Sequence, residues 1–198
     1  AHDSDSVFAK NTQEYIAELC DSINDYNNVL TQWIQMRQGD LSLRIESFPL
    51  QSVFEIVAHS STGFTLKGIT LKVIPTSVSV KADKTLTLFM VNTIADNARK
   101  FTPKGGVVTV KADEKAEGAS HFVEISITDN GPGMTEETKA HIFDRTYTGG
   151  HGFGLKNCKG IIEKYKKISS IFNICDIRAE SPVRDSETTS QRRGTRIF

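Results

Sequence analysis

The chain has 198 residues, 38% hydrophobic and 24% charged, enough for one domain with a real core and a helical appendage. Its 24 basic and 24 acidic residues cancel, so net charge lends no support to a nucleic-acid or anionic-membrane surface. No apolar run approaches the ~20 residues of a membrane span, and the polar start is no signal peptide. The three cysteines, Cys20, Cys158 and Cys175, show neither a CxxC pair nor a metal-ligand spacing. They are expected to be reduced, buried thiols of a cytosolic protein.

Residues 1–6 are small and polar, an expected frayed end. From Asn11 to Gln38 the pattern predicts one long helix. Ile16, Leu19, Ile23, Tyr26, Leu30 and Trp33 fall at alternating spacings of three and four, as along a coiled-coil seam. Gly39 ends the run. Such a stripe needs a partner, either a second copy of the chain or a missing helix; the alternative is that it lies across its own domain. Residues 1–40 are thus expected as a dimerisation-type helix and residues 41–198 as a globular domain.

Leu41, Leu43 and Ile45 alternate as in a strand. Leu50 to His59 is helical, with Val53, Ile56 and Val57 on one face. Ile69, Leu71 and Val73 alternate into Pro75, and Val78 and Val80 form another short strand. Lys84 to Phe101 predicts a buried helix ended by the turn Pro103-Lys104-Gly105-Gly106. Val107 to Val110 and Phe122 to Ile127 are expected strands joined by a polar loop, residues 113–120. Thr135 to Phe143 and Gly154 to Lys167 are helical. Ile171 to Ile177 and Gly194 to Phe198 are expected strands around a polar loop at 182–193. Interleaved strands and helices with hairpin-like neighbours predict an α/β (α+β) fold, a two-layer sandwich of one mixed sheet and one helical layer, preceded by the long amphipathic helix.

Three glycine-bearing stretches carry chemistry. Asp129-Asn130-Gly131-Pro132-Gly133 follows a strand, where glycines permit close backbone approach and a carboxylate can accept from an exocyclic amine. Taken alone it is equally a tight turn. Gly149-Gly150-His151-Gly152-Phe153-Gly154-Leu155 opens a helix, an N–H-rich anion site suited to phosphates. No Gly-Lys-Ser/Thr follows, so it is not a Walker A loop, and it follows a helix, which argues against a dinucleotide fold. The third is Gly194-Thr195. Upstream, a helical Asn97 could offer its amide oxygen to Mg²⁺ and Lys100, one turn on, could meet phosphate. Read alone, that stretch is equally an ordinary polar helix end.

In order, these segments resemble the N, G1, F, G2 and G3 boxes of the histidine-kinase ATPase domain, whose fold is shared with gyrase, the ATP-dependent heat-shock chaperone and MutL. Asn97-Ala98-Arg99-Lys100-Phe101-Thr102 is similar to the end of the N box, Asp129 to Gly133 to G1, and Ile142-Phe143 to the F box. Gly150-x-Gly152-x-Gly154-Leu155 is similar to G2, and Gly194-Thr195 to G3. The resemblance implies ATP and Mg²⁺ as cofactors. Asn97 becomes the Mg²⁺ ligand, Lys100 a phosphate contact, Asp129 the adenine N6 acceptor, and Phe101 a neighbour of the base. Gly131 and Gly133 shape the base pocket, Gly152 and Gly154 cradle phosphates beneath a lid, and Gly150, Phe153 and Leu155 belong to the same nucleotide-binding set. Thr195 supports the adenine site. The implied activity is protein-histidine kinase: transfer of the γ-phosphoryl to a histidine outside the chain, for relay to a response regulator. A homodimer in the full-length protein is implied too, as is a cytoplasmic position below a membrane-anchored sensor. Contact of this fragment with nucleic acid or membrane is not expected.

The sequence departs from the family pattern where an asparagine is usual four residues before Asn97. Thr93 stands there, and Asn92 is turned roughly 100° away. A threonine hydroxyl is a poor general base, and Lys100 occupies a place where the hydrolase relatives tend to carry an acid; both favour a kinase. The segment between Phe143 and the G2 glycines is short. The seam helix resembles the second of the two helices that precede the ATP domain, so the acceptor helix is missing. His2 beside Asp3 lacks the surrounding periodicity of an acceptor, and His59, His121 and His141 are expected as ordinary core or surface residues, so no catalytic residue is assigned within the chain. The alternative is a degenerate pseudokinase, a nucleotide-binding or dimerisation module without transfer.

Overall fold

A computed structural model describes residues 12, 13, 16, 20, 23, 43–144, 153–168, 172, 174–181, 183–184, 191–192 and 194–198. Thr12, Gln13, Ile16, Cys20 and Ile23 are helical, and Ile16 and Ile23, two of the seam residues, are 53% and 57% exposed. The remainder of the expected helix, with His2 and Gly39, lies outside the described residues.

The first strand, β1 (Glu46–Pro49), begins beyond the 41–45 alternation that suggested it. Its place is decided by its partner: antiparallel pairing with β3 (Ser79–Ala82) sets Phe48 opposite Val80 and buries Phe48, while Leu43 and Ile45 pack on the core without joining a ladder. Helix α1 (Gln51–His59) buries Val53, Phe54 and Val57; Ile56, expected on that face, is exposed. A short α2 (Thr62–Leu66), which no sequence pattern announced, leads into β2 (Thr70–Val73).

Helix α3 (Lys84–Phe101) has the predicted bounds, for physical reasons at both ends. Asp83 caps it: Oδ1 accepts from Leu86 N at 3.1 Å, and Oδ2 from Arg44 N at 3.0 Å. At the other end Thr102 is extended before Pro103, as a residue preceding proline prefers. Lys67 Nζ donates to the carbonyls of Arg99 and Lys100 at 2.7 and 2.6 Å, placing a cation on the negative end of the helix.

The expected 113–120 loop is instead a continuation of a long hairpin. β4 (Val107–Glu117) and β5 (Ser120–Asp129) pair through Glu117 and Ser120, around the positive-φ Gly118. Helices α4 (Glu136–His141) and α5 (Phe153–Ile168) follow. The strand expected over 171–177 is absent among the described residues; β6 is Ala179–Glu180, and Ile174 stays exposed. The expected 182–193 loop holds a short pair, β7 (Val183–Arg184) with β8 (Gln191–Arg192), before β9 (Arg196–Ile197).

The main sheet has order β2-β4-β5-β9-β6, with β2 and β4 parallel and the other pairs antiparallel, so it is mixed as expected. Val108, Val110 and Ile127 share one core cluster with Phe54 of α1, Ile94 of α3 and Ile161 of α5. The Tyr165 hydroxyl of α5 accepts from Asp83 N at 2.7 Å and so ties α5 to the start of α3. Cys158 is buried as expected, Cys175 is half-buried, and Cys20 is exposed; all are free thiols.

Candidate functional site

The C-terminal half of α3, the end of β5 and the turn before β9 converge. Asp129, the last residue of β5, is 7% exposed. Its Oδ1 accepts from Gly131 N at 2.8 Å and Thr195 N at 3.2 Å, so two of the predicted site residues hold a third. Oδ2 makes no hydrogen bond among the described residues. Burial pushes the Asp129 carboxyl above its ordinary value, and the two backbone N–H bonds pull against that.

Gly131 lies in a close approach: a Cβ there would sit 2.9 Å from both Asp129 Oδ1 and the Phe101 carbonyl oxygen. The end of α3 therefore touches the Asp129 loop through backbone, while Phe101 is 64% exposed at its rim. Gly194 is the tightest point. Its φ is +145°, and a side chain there would overlap the Asp129 carbonyl oxygen. Asp129 N donates to Thr195 O at 2.8 Å, which completes the stitching of the two loops.

Ser181 went unnoticed in the sequence, where it precedes a polar stretch with no motif of its own. It is buried; its hydroxyl donates to Gly194 O at 2.9 Å and accepts from Met134 N at 2.7 Å. It also closes over Gly133, where a Cβ would meet Ser181 Oγ at 2.8 Å. Asn130 does comparable work on the other side, its Oδ1 accepting from Val107 N at 2.8 Å. Only the close approaches around these residues could have flagged them, and those need coordinates.

Along α3, Thr93, Asn97 and Lys100 stand at i, i+4 and i+7, on one stripe. This stripe faces the start of α5: a Cβ on Gly154 would lie 2.7 Å from Thr93 Cγ2. Asn97 is half-buried, and its side chain makes no hydrogen bond among the described residues. Lys100 Nζ lies 3.6 Å from Asp96 Oδ2, an exposed and loose pair, while Asp96 Oδ1 takes the closer bond from Arg99 at 2.6 Å. Leu155, predicted as a ligand residue, is buried in the core cluster. Gly150 and Gly152 lie outside the described residues, as does the Phe153 side chain, though Phe153 begins α5.

Phe143, of the Ile142-Phe143 pair, packs half-buried on the core. Just after it, Asp144 bonds His141 Nδ1 at 2.9 Å and lies 3.8 Å from Lys159 Nζ of α5, so this segment is tethered to α5. The His141 hydrogen bond holds the Asp144 carboxyl below its ordinary value, with the Lys159 charge helping. His59, His121 and His141 are all surface residues. A separate apolar cavity of about 430 Å³, between the sheet and helices α3 and α5, is lined by residues such as Met90, Ile125 and Ile177 and by none of the predicted site residues.

Residues 82–198 match the family described as histidine kinase-, DNA gyrase B-, and HSP90-like ATPase. The chain belongs to this family. It is similar to the sensor protein KdpD of Clostridium acetobutylicum, 34% identical over 122 residues that make up 57% of the chain and 13% of KdpD. It is also similar to the sensor protein CreC of Escherichia coli, 28% identical over 167 residues, 81% of the chain and 34% of CreC. Among solved structures, the mycobacterial sensor histidine kinase MprB shares 25% identity at a TM-score of 0.59, over 77% of this chain and 93% of that one. The chain spans only a minor part of these two curated relatives. No helix among the described residues is long and apolar enough to cross a membrane.

Proposed function

We propose that the chain is the ATP-binding catalytic domain of a sensor histidine kinase, passing the γ-phosphoryl of ATP to a histidine on a separate helix. The observation that carries this is the Asp129 carboxylate, clamped through one oxygen by Gly131 and Thr195 while the other makes no hydrogen bond among the described residues. Such an oxygen, held in a glycine-lined pocket, suits the exocyclic amine of adenine. The remaining residues suit Mg·ATP as well. Gly131 lets the Asp129 loop lie against the end of α3, and Asn97 offers a hard amide oxygen that no protein group uses among the described residues.

In this reading Asn97 holds the Mg²⁺, which neutralises phosphate charge when bound. Lys100, released from its loose pair with Asp96, adds a second positive charge at the phosphates. The first turn of α5 presents backbone N–H groups to them. Asp129 selects the base, and Gly133, Gly194 and Ser181 keep its loop in register. Phosphoryl transfer asks little more of this chain than positioning and charge neutralisation. The turn before Asn97 carries Thr93 rather than a general base, and this favours transfer over hydrolysis. In this reading residues 1–40 supply a dimer seam, and a response regulator takes the phosphoryl group onward; the helical, exposed Ile16 and Ile23 support the seam.

The test mixes the chain with a separate helical fragment carrying an acceptor histidine and γ-labelled ATP. Acid-labile label on the fragment is expected. Bound ATP with no label transferred would favour the alternative, a nucleotide-binding module without transfer activity.

A further inference from the structure

Helix α3 runs into Pro103, and this leaves its last turn short of donors. In a regular helix each carbonyl accepts from the N–H four residues on. Ala98 O is served in this way by Thr102 N at 2.9 Å. The Arg99 carbonyl would need an N–H at position 103, where proline has none. The chain leaves helical geometry at the extended Thr102, so Lys100 O loses its helical donor too. Lys67 takes both places, its Nζ donating to Arg99 O at 2.7 Å and to Lys100 O at 2.6 Å.

The turn that carries Lys67 is itself fastened to the turn after α3. Gly68, at φ +70°, accepts through its carbonyl from Gly105 N at 2.7 Å, and Thr70 N donates to Gly106 O at 2.9 Å. The ammonium group therefore reaches this helix end from a fixed base. What meets that end gives the charge a purpose. The Phe101 carbonyl oxygen lies 2.9 Å from where Gly131 would carry a Cβ, beside the buried Asp129 carboxylate, and the same turn carries Lys100. Carbonyls without donors make this the negative end of the helix dipole, a poor neighbour for an anion. Arg99 is engaged with Asp96 at 2.6 Å, whereas the Lys67 ammonium lies on the carbonyls themselves.

We infer that Lys67 is a positioning residue of the nucleotide site: its ammonium supplies the donors that Pro103 withholds and cancels the negative end of α3, so that this turn can present Lys100 to an anionic ligand. This rests on the Mg·ATP reading above. Lys67 acts through the helix end and not by touching the nucleotide. An effect of that origin grows with the negative charge of the ligand, whereas loss of a purely structural tie weakens every ligand alike.

The experiment is calorimetric titration of adenosine, ADP and ATP, at one fixed Mg²⁺ concentration, into the full chain and its Lys67→Met, Lys67→Gln, Lys67→Arg and Lys72→Met variants. Thermal unfolding of each without nucleotide accompanies it. Lys72, exposed on β2, controls for the change in net charge. Lys67→Met should lose about five-fold or more in ATP affinity and less than about two-fold for adenosine, with ADP between them. Lys67→Gln can still donate but carries no charge. It should melt closer to wild type than Lys67→Met and show the same graded loss, a comparison that stands even if the methionine variant misfolds. Lys67→Arg and Lys72→Met should stay within about two-fold of wild type for every ligand. Equal fold-losses for adenosine and ATP in the uncharged variants would reduce Lys67 to a structural tie and overturn the inference. Wild-type ATP affinity in those variants, or a Lys67→Arg protein as impaired as they are, would overturn it too. Absence of ATP binding by the wild-type chain would instead sink the nucleotide reading itself, and the inference with it.

Discussion

Gly194→Ala probes the narrowest point of the site. Gly194 sits at φ +145°, a conformation that strains any L side chain, and its missing Cβ leaves room for the Asp129 carbonyl. The backbone conflict alone amounts to about 1–3 kcal/mol. Overlap with the Asp129 backbone cannot be relieved by a side-chain rotation, because the obstructing atoms belong to the main chain at the end of β5. A total of about 3 kcal/mol is therefore reasonable, or roughly 6–12 °C in melting temperature for a domain of this size. Gly118→Ala is the matched control. Gly118 also has a positive φ, +59°, at the tip of the β4–β5 hairpin, but a Cβ there meets nothing within 4 Å. It should lose only about 1 kcal/mol, roughly 2–4 °C. The two variants separate strain from overlap by thermal unfolding, and Mg·ATP titration adds a functional readout. Gly194→Ala displaces Asp129 and Thr195 and should weaken binding; Gly118→Ala should leave it unchanged. A Gly194→Ala protein that melts as high as Gly118→Ala, or binds nucleotide as wild type does, refutes the reasoning.

Other variants test separate contacts. Ser181→Ala removes the hydroxyl that joins Met134 N to Gly194 O and should destabilise by about 2 kcal/mol, roughly 4–8 °C by calorimetry; an unchanged melt would show that the stitch is dispensable. Asn97→Ala should abolish the Mg²⁺-dependent part of ATP affinity, and equal titrations with and without the substitution would remove Asn97 from the metal site. Asp129 gives a pH prediction. Its folded pKa is raised above its ordinary 3.8, so its contribution to stability is present below that value and is lost as the pH rises through the folded value. In Asp129→Asn the amide oxygen can still accept from both N–H groups, so this variant without nucleotide should melt higher than wild type at roughly pH 7. The gap should close as the pH falls toward about 4. A constant gap across that range would contradict the assigned cause.

Much of the fold was legible where local chemistry decides it. The end of α3 was marked by Pro103 with its glycine pair, a signal that acts within a few residues, whereas the Asp83 cap at its start is seen in the structure. The distal half of the β4–β5 hairpin was not legible, because residues 113–120 are polar on both faces and leave no alternation to read. Phe172 and residues 174–177 show the opposite failure: the stretch is apolar enough to read as a strand, but none of these residues joins a ladder among the described residues, and strand pairing needs a partner. The site divides along the same line. Asp129, Gly131 and Thr195 stood in motifs, and the fold brings them within hydrogen-bond distance of one another. Ser181, Lys67 and the Thr93–Gly154 contact stood in none. Their roles arise from partners 13 or more residues away, as with Ser181 and Gly194.

The central claim is that Asp129 selects adenine at a nucleotide site. Wild type and Asp129→Asn, titrated with ATP and with GTP in the presence of Mg²⁺, test it most directly. The substitution keeps one oxygen for Gly131 and Thr195 and turns the free acceptor into an amide donor, which suits the carbonyl of guanine rather than the amine of adenine. Wild type should bind ATP in clear preference to GTP, and the variant should lose that preference or reverse it. Equal binding of both nucleotides by wild type, or an undiminished adenine preference in the variant, would contradict the account.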